Sequence, residues 1–273
     1  MPAYYRRMAT TIRSLDEVRS ALTGSFTVIE DLCAGLSEAD WRVQSLCPDW
    51  TVRGVVDHLA SVEAAMAGWL PQDTTTPPPF AQAGEFLTDT AALHGTDYLD
   101  RIRTVFARRR ADLDALTNAD FERPSWMPVG PGTYGRFLAI RVFDFWVHER
   151  DITTALGRTT EDAGPAAEIA LAEVEGSLGY IIGKKVGLED GRSLAIHLTG
   201  PLVRRYDVAV DGRARQVEPL ANPDVELHTD STTFVQLACG RIDPQARIDA
   251  GVISWTGDAE LGERAARNLR FTM

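Results

Sequence analysis

Cysteine is scarce: the 273 residues hold three, Cys33, Cys47 and Cys239. They are too few and too scattered for a disulfide framework or a paired-thiolate metal knuckle, and read as free thiols in a reducing cytoplasm. Long apolar runs are also lacking. No stretch approaches the roughly 18 consecutive apolar residues of a membrane-spanning helix, so no membrane partner is expected. The opening Met1-Pro2-Ala3-Tyr4-Tyr5-Arg6-Arg7 carries a basic pair with no apolar core after it, and no signal peptide is read there. Positive charge is in deficit, with 28 Lys and Arg against 39 Asp and Glu and a net charge of −11. A chain this acidic repels a polyphosphate backbone, which argues against nucleic acid as the principal ligand. What remains, 44% hydrophobic and 25% charged residues, is the composition of an ordinary globular chain.

The first half reads as helical. Ile12, Leu15, Val18, Leu22, Phe26, Ile29 and Leu32 recur at spacings of three and four and predict one helix over 9–36. Thr51, after the turn Cys47-Pro48-Asp49-Trp50, can cap a second helix running to about Trp69 and stopped by Pro71. Residues 71–84, with prolines at 77–79, form a loop. A third helix is predicted over 86–117 and a fourth over 134–156, with Gly157 as its stop. Four such helices imply a four-helix bundle. The second half changes character after an amphipathic stretch at 165–182. Residues 193–199 and 205–210 alternate as strands, and Asp211-Gly212 is a hairpin turn signal. A short strand at 225–227, a helix opening at Asp230 or Ser231 and a last helix over 258–270 complete an α+β pattern. The expected architecture is a helical bundle over 1–160 followed by a smaller α+β domain over 161–273.

The fourth helix carries the chemistry. Asp144 and His148 are four apart and stack on one face; Asp151 follows three residues later, and Arg141 precedes Asp144 by three. That face also bears Ile140, Val147 and Ala155, so it faces the interior, where polar groups left without partners cost about 2 kcal/mol or more each. A metal ion satisfies a carboxylate and an imidazole together. An Arg141–Asp144 ion pair with His148 bonded to Asp151 satisfies them equally. On the second helix His58 lies among Val55, Leu59, Val62 and Met66, again on the apolar stripe. Inward histidines on two helices, one with a carboxylate a turn away, are a known way to build a metal site in a bundle. Three nitrogen and oxygen ligands would leave a zinc ion one open position.

The string Cys47-Pro48-Asp49-Trp50-Thr51-Val52-Arg53-Gly54-Val55-Val56-Asp57-His58-Leu59 resembles a signature of the mycothiol-dependent maleylpyruvate isomerase family, and Trp146-Val147-His148-Glu149-Arg150-Asp151-Ile152 is similar to a second. Leu237-Ala238-Cys239-Gly240-Arg241 and Gly257-Asp258-Ala259-Glu260-Leu261 resemble motifs of that family's second domain. The resemblance implies a DinB-like metal-binding bundle followed by a domain like sterol carrier protein 2. It places the metal ligands on His58, Asp144 and His148, with Asp151 orienting an imidazole. Where the family usually has glutamate this chain has Asp144, one methylene shorter, so either the helix sits closer to the ion or a water intervenes.

The implied cofactors are a divalent metal, zinc by its donor set, and mycothiol, whose sulfur the metal would hold as a thiolate. The implied partners are this small thiol and a small electrophilic or carboxylate substrate. The activity would be cis–trans isomerisation by thiolate addition, rotation and elimination. The alternatives are a mycothiol S-transferase acting on another electrophile, a bundle with a structural metal, or a carrier of an apolar ligand in the second domain. Arg141 and Arg241 are candidates to bind a substrate carboxylate, a structural ion pair being the competing role of each. Arg108-Arg109-Arg110, with Arg101 and Arg103, reads as a solvated helix face. His94, His197 and His228 show no ligand spacing, and the three cysteines read as packing residues.

Overall fold

The structure is a computed structural model that describes residues 13–271. The opening residues, including the stretch examined for a signal peptide and Ile12 of the first stripe, lie outside the described residues. The described residues divide into two compact units, 13–160 and 161–271.

In the first unit, α1 (Leu15–Ala34) starts at a capping box. Ser14 accepts from the Glu17 amide, and the Glu17 side chain accepts in return from Ser14. Its stripe of Leu15, Val18, Leu22, Phe26 and Ile29 is buried as expected. Helix α2 (Val52–Met66) begins at Thr51, whose hydroxyl accepts from the Gly54 amide. It ends three residues short of Trp69: Gly68, in the left-handed region at φ 76, breaks it before Pro71 is reached.

The expected third helix is two helices, α3 (Ala83–Thr90) and α4 (Gly95–Asp114). The chain turns between them through an extended His94 and a Gly95 at φ 52, a conformation that interrupts a right-handed helix. Arg53 of α2 holds this break, donating to the carbonyls of Thr90 and Leu93, each at 3.0 Å. A one-turn α5 (Asn118–Phe121) and the short antiparallel pair β1 (Pro124–Ser125) and β2 (Gly132–Thr133) lead into α6 (Tyr134–Ala155). Phe26 of α1 stacks on Phe106 of α4 with ring centroids 4.7 Å apart, and Phe145 of α6 meets both edge-on. This aromatic cluster locks α6 against its neighbours and fixes which face of it turns toward α2.

The second unit opens with α7 (Gly164–Gly176), α8 (Leu178–Tyr180) and a π-helical turn over Ile181–Val186. Strands β3 (Ser193–Thr199), β4 (Arg204–Asp211), β5 (Arg213–Gln216), β6 (Val225–Asp230) and β7 (Ser254–Gly257) form one sheet in the order β5-β4-β3-β6-β7. Among the described residues, only β3 and β6 pair in parallel. Gly212, at φ 66, makes the hairpin turn between β4 and β5. Helix α9 (Ser231–Ala238) starts where expected, with the Asp230 carboxylate accepting from the Thr233 amide. Helix α10 (Pro244–Asp249) and strand β7 went unread in the sequence, and α11 (Ala259–Arg267) closes the unit. A helical first part and a sheet-containing second part are thus the observed fold class. No helix among the described residues is long and apolar enough to cross a membrane.

Candidate metal centre

His58 on α2 and Asp144 and His148 on α6 come together in the first unit. Their ligand atoms all lie within 4.8 Å of one another. His58 Nε2 is 3.1 Å from Asp144 Oδ2, and His148 Nε2 is 3.4 Å from Asp144 Oδ1. Donors at zinc–ligand lengths in a tetrahedron are about 3.3–3.4 Å apart. The shorter Asp144 side chain therefore reaches the two imidazoles directly, and the donor set fits a divalent ion.

Asp151 is fully buried, and its Oδ2 accepts from His148 Nδ1 at 2.8 Å. That bond fixes the ring and leaves Nε2 as the nitrogen that could ligate an ion. A second grouping, Cys47 with His148 and Asp151, also lies within 4.8 Å. It competes with the bond that already occupies Nδ1, so the His58 grouping is the better-formed one.

Both contacts of the ion-pair reading are present too. Arg141 Nη1 donates to Asp144 Oδ2 at 2.6 Å, beside the His148–Asp151 bond. The two readings overlap at one atom: Asp144 Oδ2 accepts from Arg141 and also lies 3.1 Å from His58 Nε2, while Oδ1 faces His148 Nε2 and Asp151 takes Nδ1 of His148. Burial raises the Asp144 carboxyl, but Arg141 and His148 overcome this and hold it well below the usual carboxylate range. Burial opposes the charged form of His148. Asp144 and its hydrogen bond, with Asp151 behind them, nevertheless push the imidazole up to about 9. Without a metal, His148 is thus a cation held between two carboxylates.

Three contributors to the site went unnoticed in the sequence. Trp50 stacks on His58 with centroids 4.8 Å apart and leans over His148 at 5.6 Å, shielding both imidazoles on one side. Glu63 on α2 has no exposed surface; Arg141 Nε and Arg109 Nε each donate to it at 2.9 Å. Burial alone would raise the Glu63 carboxyl, and the two guanidiniums hold it below its ordinary value. Arg109 corrects the expectation of a solvated arginine face. It is 1% exposed, because it falls three residues after Phe106 and four before Leu113 on the buried stripe of α4. Arg110 pairs with Glu30, and Arg108 alone of the three is exposed. The stripe positions of Glu63 and Arg109 were the available signal.

In the second unit, Arg241 Nη1 donates to the carbonyl of Cys239 at the end of α9. His197 and His228, unconnected by spacing, are register partners on β3 and β6 and stack with centroids 4.7 Å apart. With ring planes 19° apart they present faces, not nitrogens, to each other.

A helical bundle whose α2 and α6 converge two imidazoles and a carboxylate, followed by an α+β unit, defines a class of bundle protein with an inward group of side chains that could hold a metal ion. The model for the mycothiol maleylpyruvate isomerase N-terminal domain matches residues 22–153, and that for the MDMPI C-terminal domain matches residues 168–264. The chain belongs to the mycothiol-dependent maleylpyruvate isomerase family. A crystal structure of the mycothiol-dependent maleylpyruvate isomerase superposes with a TM-score of 0.61 at 16% identity, covering 95% of this chain and 98% of that one. A histidine-to-alanine mutant of that enzyme superposes with a TM-score of 0.60, at the same identity and coverage. At this identity the likeness is one of fold. No curated protein matches the chain.

Proposed function

We propose that the chain is a metal- and mycothiol-dependent isomerase of small cis-unsaturated acids of the maleylpyruvate type, working in a reducing cytoplasm. His58, Asp144 and His148 would hold a divalent ion, for which two imidazoles and one carboxylate make zinc the natural occupant. The observation that carries this reading is the convergence of the three donors with Asp151 fixing the tautomer of His148. When bound, the ion lowers the pKa of a coordinated thiol, so that the thiolate needed to add to a double bond is present at neutral pH.

The residues of the chain hold and shield. Asp151 keeps the His148 lone pair pointed at the site, and Trp50 covers the imidazoles and limits water there. Arg141, spanned between Glu63 and Asp144, steadies the carboxylate. That doubly ionic setting favours positioning over the substrate-binding role considered for Arg141. Two of the thiols are poorly suited to replace the cofactor as nucleophile: Cys33 and Cys239 are buried, and burial pushes the Cys33 thiol up to about 12.

Calorimetric titration of mycothiol into zinc-loaded and metal-stripped protein, with maleylpyruvate conversion followed in parallel, tests the proposal. Thiol binding and conversion in the loaded protein alone support it. Thiol binding without conversion, together with turnover of an epoxide or halide, would replace it with the S-transferase reading.

A further inference from the structure

We infer that Glu63 is a positioning residue for the metal centre, acting through Arg141 on the carboxylate ligand Asp144. The inference rests on the metal-site reading above. Glu63, on α2, lies five residues beyond His58 and faces a different part of the interior. Its two carboxylate oxygens are divided between two helices: Oε1 accepts from Arg141 of α6 and Oε2 from Arg109 of α4, each at 2.9 Å. Arg109 is fixed in turn, with Nη1 donating to the Met66 carbonyl at 3.2 Å and to Asp112 Oδ2 at 3.3 Å. Asp112 accepts from the Gly68 amide at 2.8 Å. A chain of ion pairs therefore runs from Arg109 through Glu63 and Arg141 to Asp144, tied to the end of α2 by the Arg109–Met66 carbonyl bond.

Arg141 has three nitrogens to place. Nε is taken by Glu63 and Nη1 by Asp144, while Nη2 is buried with no hydrogen-bond partner. A guanidinium next to a carboxylate ordinarily closes on it with two parallel bonds, the stronger geometry. Here the pull of Glu63 on Nε keeps Arg141 to a single bond with Asp144. Asp144 Oδ1 is thereby left clear of the guanidinium and faces His148 Nε2 at 3.4 Å, while Oδ2 is shared between Arg141 and His58 Nε2 at 3.1 Å. Without Glu63, the spare nitrogens of Arg141 would turn onto Asp144 and hold both oxygens away from an ion. Partners that orient a ligating group typically influence metal affinity by about 10–100-fold.

Removing Glu63 alone leaves two buried guanidiniums short of an anion and threatens folding. The decisive variant is the charge-balanced pair Glu63→Leu with Arg109→Met, which removes one charge of each sign. It is compared with wild type and with Glu63→Gln by zinc competition against a chromophoric chelator, with thermal unfolding of the metal-stripped proteins alongside. The expected result is a folded double variant whose zinc affinity falls about 10–100-fold. A residue that merely balances charge would leave affinity per folded molecule unchanged in the double variant, and that result overturns the inference. Should the double variant not fold, Glu63→Gln decides by the same affinity readout. Wild-type protein that binds no zinc would instead remove the metal-site reading, and the role of Glu63 with it.

Discussion

The Asp151 carboxylate, with no surface exposed, accepts the Nδ1 proton of His148 at 2.8 Å, so His148 can meet a metal only through Nε2. In the proposed metal centre this single bond would orient a core histidine as a ligand. Asp151→Asn keeps the size of the side chain but offers the imidazole a weaker, uncharged acceptor. Zinc affinity is expected to fall about 10–100-fold, measured by chelator competition. An unchanged affinity would mean that packing alone orients the ring.

The protonation of His148 gives the metal-free protein a characteristic pH dependence. Its folded pKa is raised to about 9, whereas an exposed histidine titrates near ~6.5. The folded state therefore binds the proton more tightly than the unfolded state. The resulting stability is complete below about pH 6.5 and is lost as pH rises through about 9. Urea unfolding of metal-stripped protein should show midpoints that decline across this window. The His148→Gln variant should lack that decline.

Gly257 ends β7 with φ 90, and a Cβ there would run into the carbonyl oxygen of Asp224 beside the β6 pairing. Gly257→Ala combines a strained backbone with a collision against main chain, which flexible side chains cannot relieve. It should cost about 3 kcal/mol or more, seen as a lowered thermal unfolding midpoint. A midpoint within a degree of wild type would contradict this account of the glycine.

The elements read most easily from the sequence were those with strong local periodicity. Leu194, Ile196 and Leu198 alternate in β3, and all three are buried; Thr51 and Asp230 cap the helices that follow them. The break between α3 and α4 was hidden because Ala91, Ala92 and Leu93 continue an apolar pattern. What interrupts it is the positive φ of Gly95 and a pair of hydrogen bonds from Arg53, about 40 residues earlier. Strand β7 contains one large apolar residue, Trp255, too little to show alternation.

The same distinction applies to the site. Asp144, His148 and Asp151 share a helix face that spacing displays, and His58 lies on an evident stripe. Glu63 and Arg109 also occupy stripe positions, but what makes them tolerable there is their pairing with each other across 46 residues. Such partners are set by helix packing and leave no mark in local spacing. The same holds for His197 and His228, brought together by the register of two parallel strands.

The most direct test of the account is the metal content and zinc affinity of the purified chain beside those of His58→Ala and His148→Ala. The account predicts one ion per chain in the wild type and loss of tight binding in each variant, because two remaining ligands cannot hold the ion alone. A wild-type chain that binds no ion, or variants that bind as tightly as wild type, would contradict it. The polar row on α6 would then be a buried ion-pair network and nothing more.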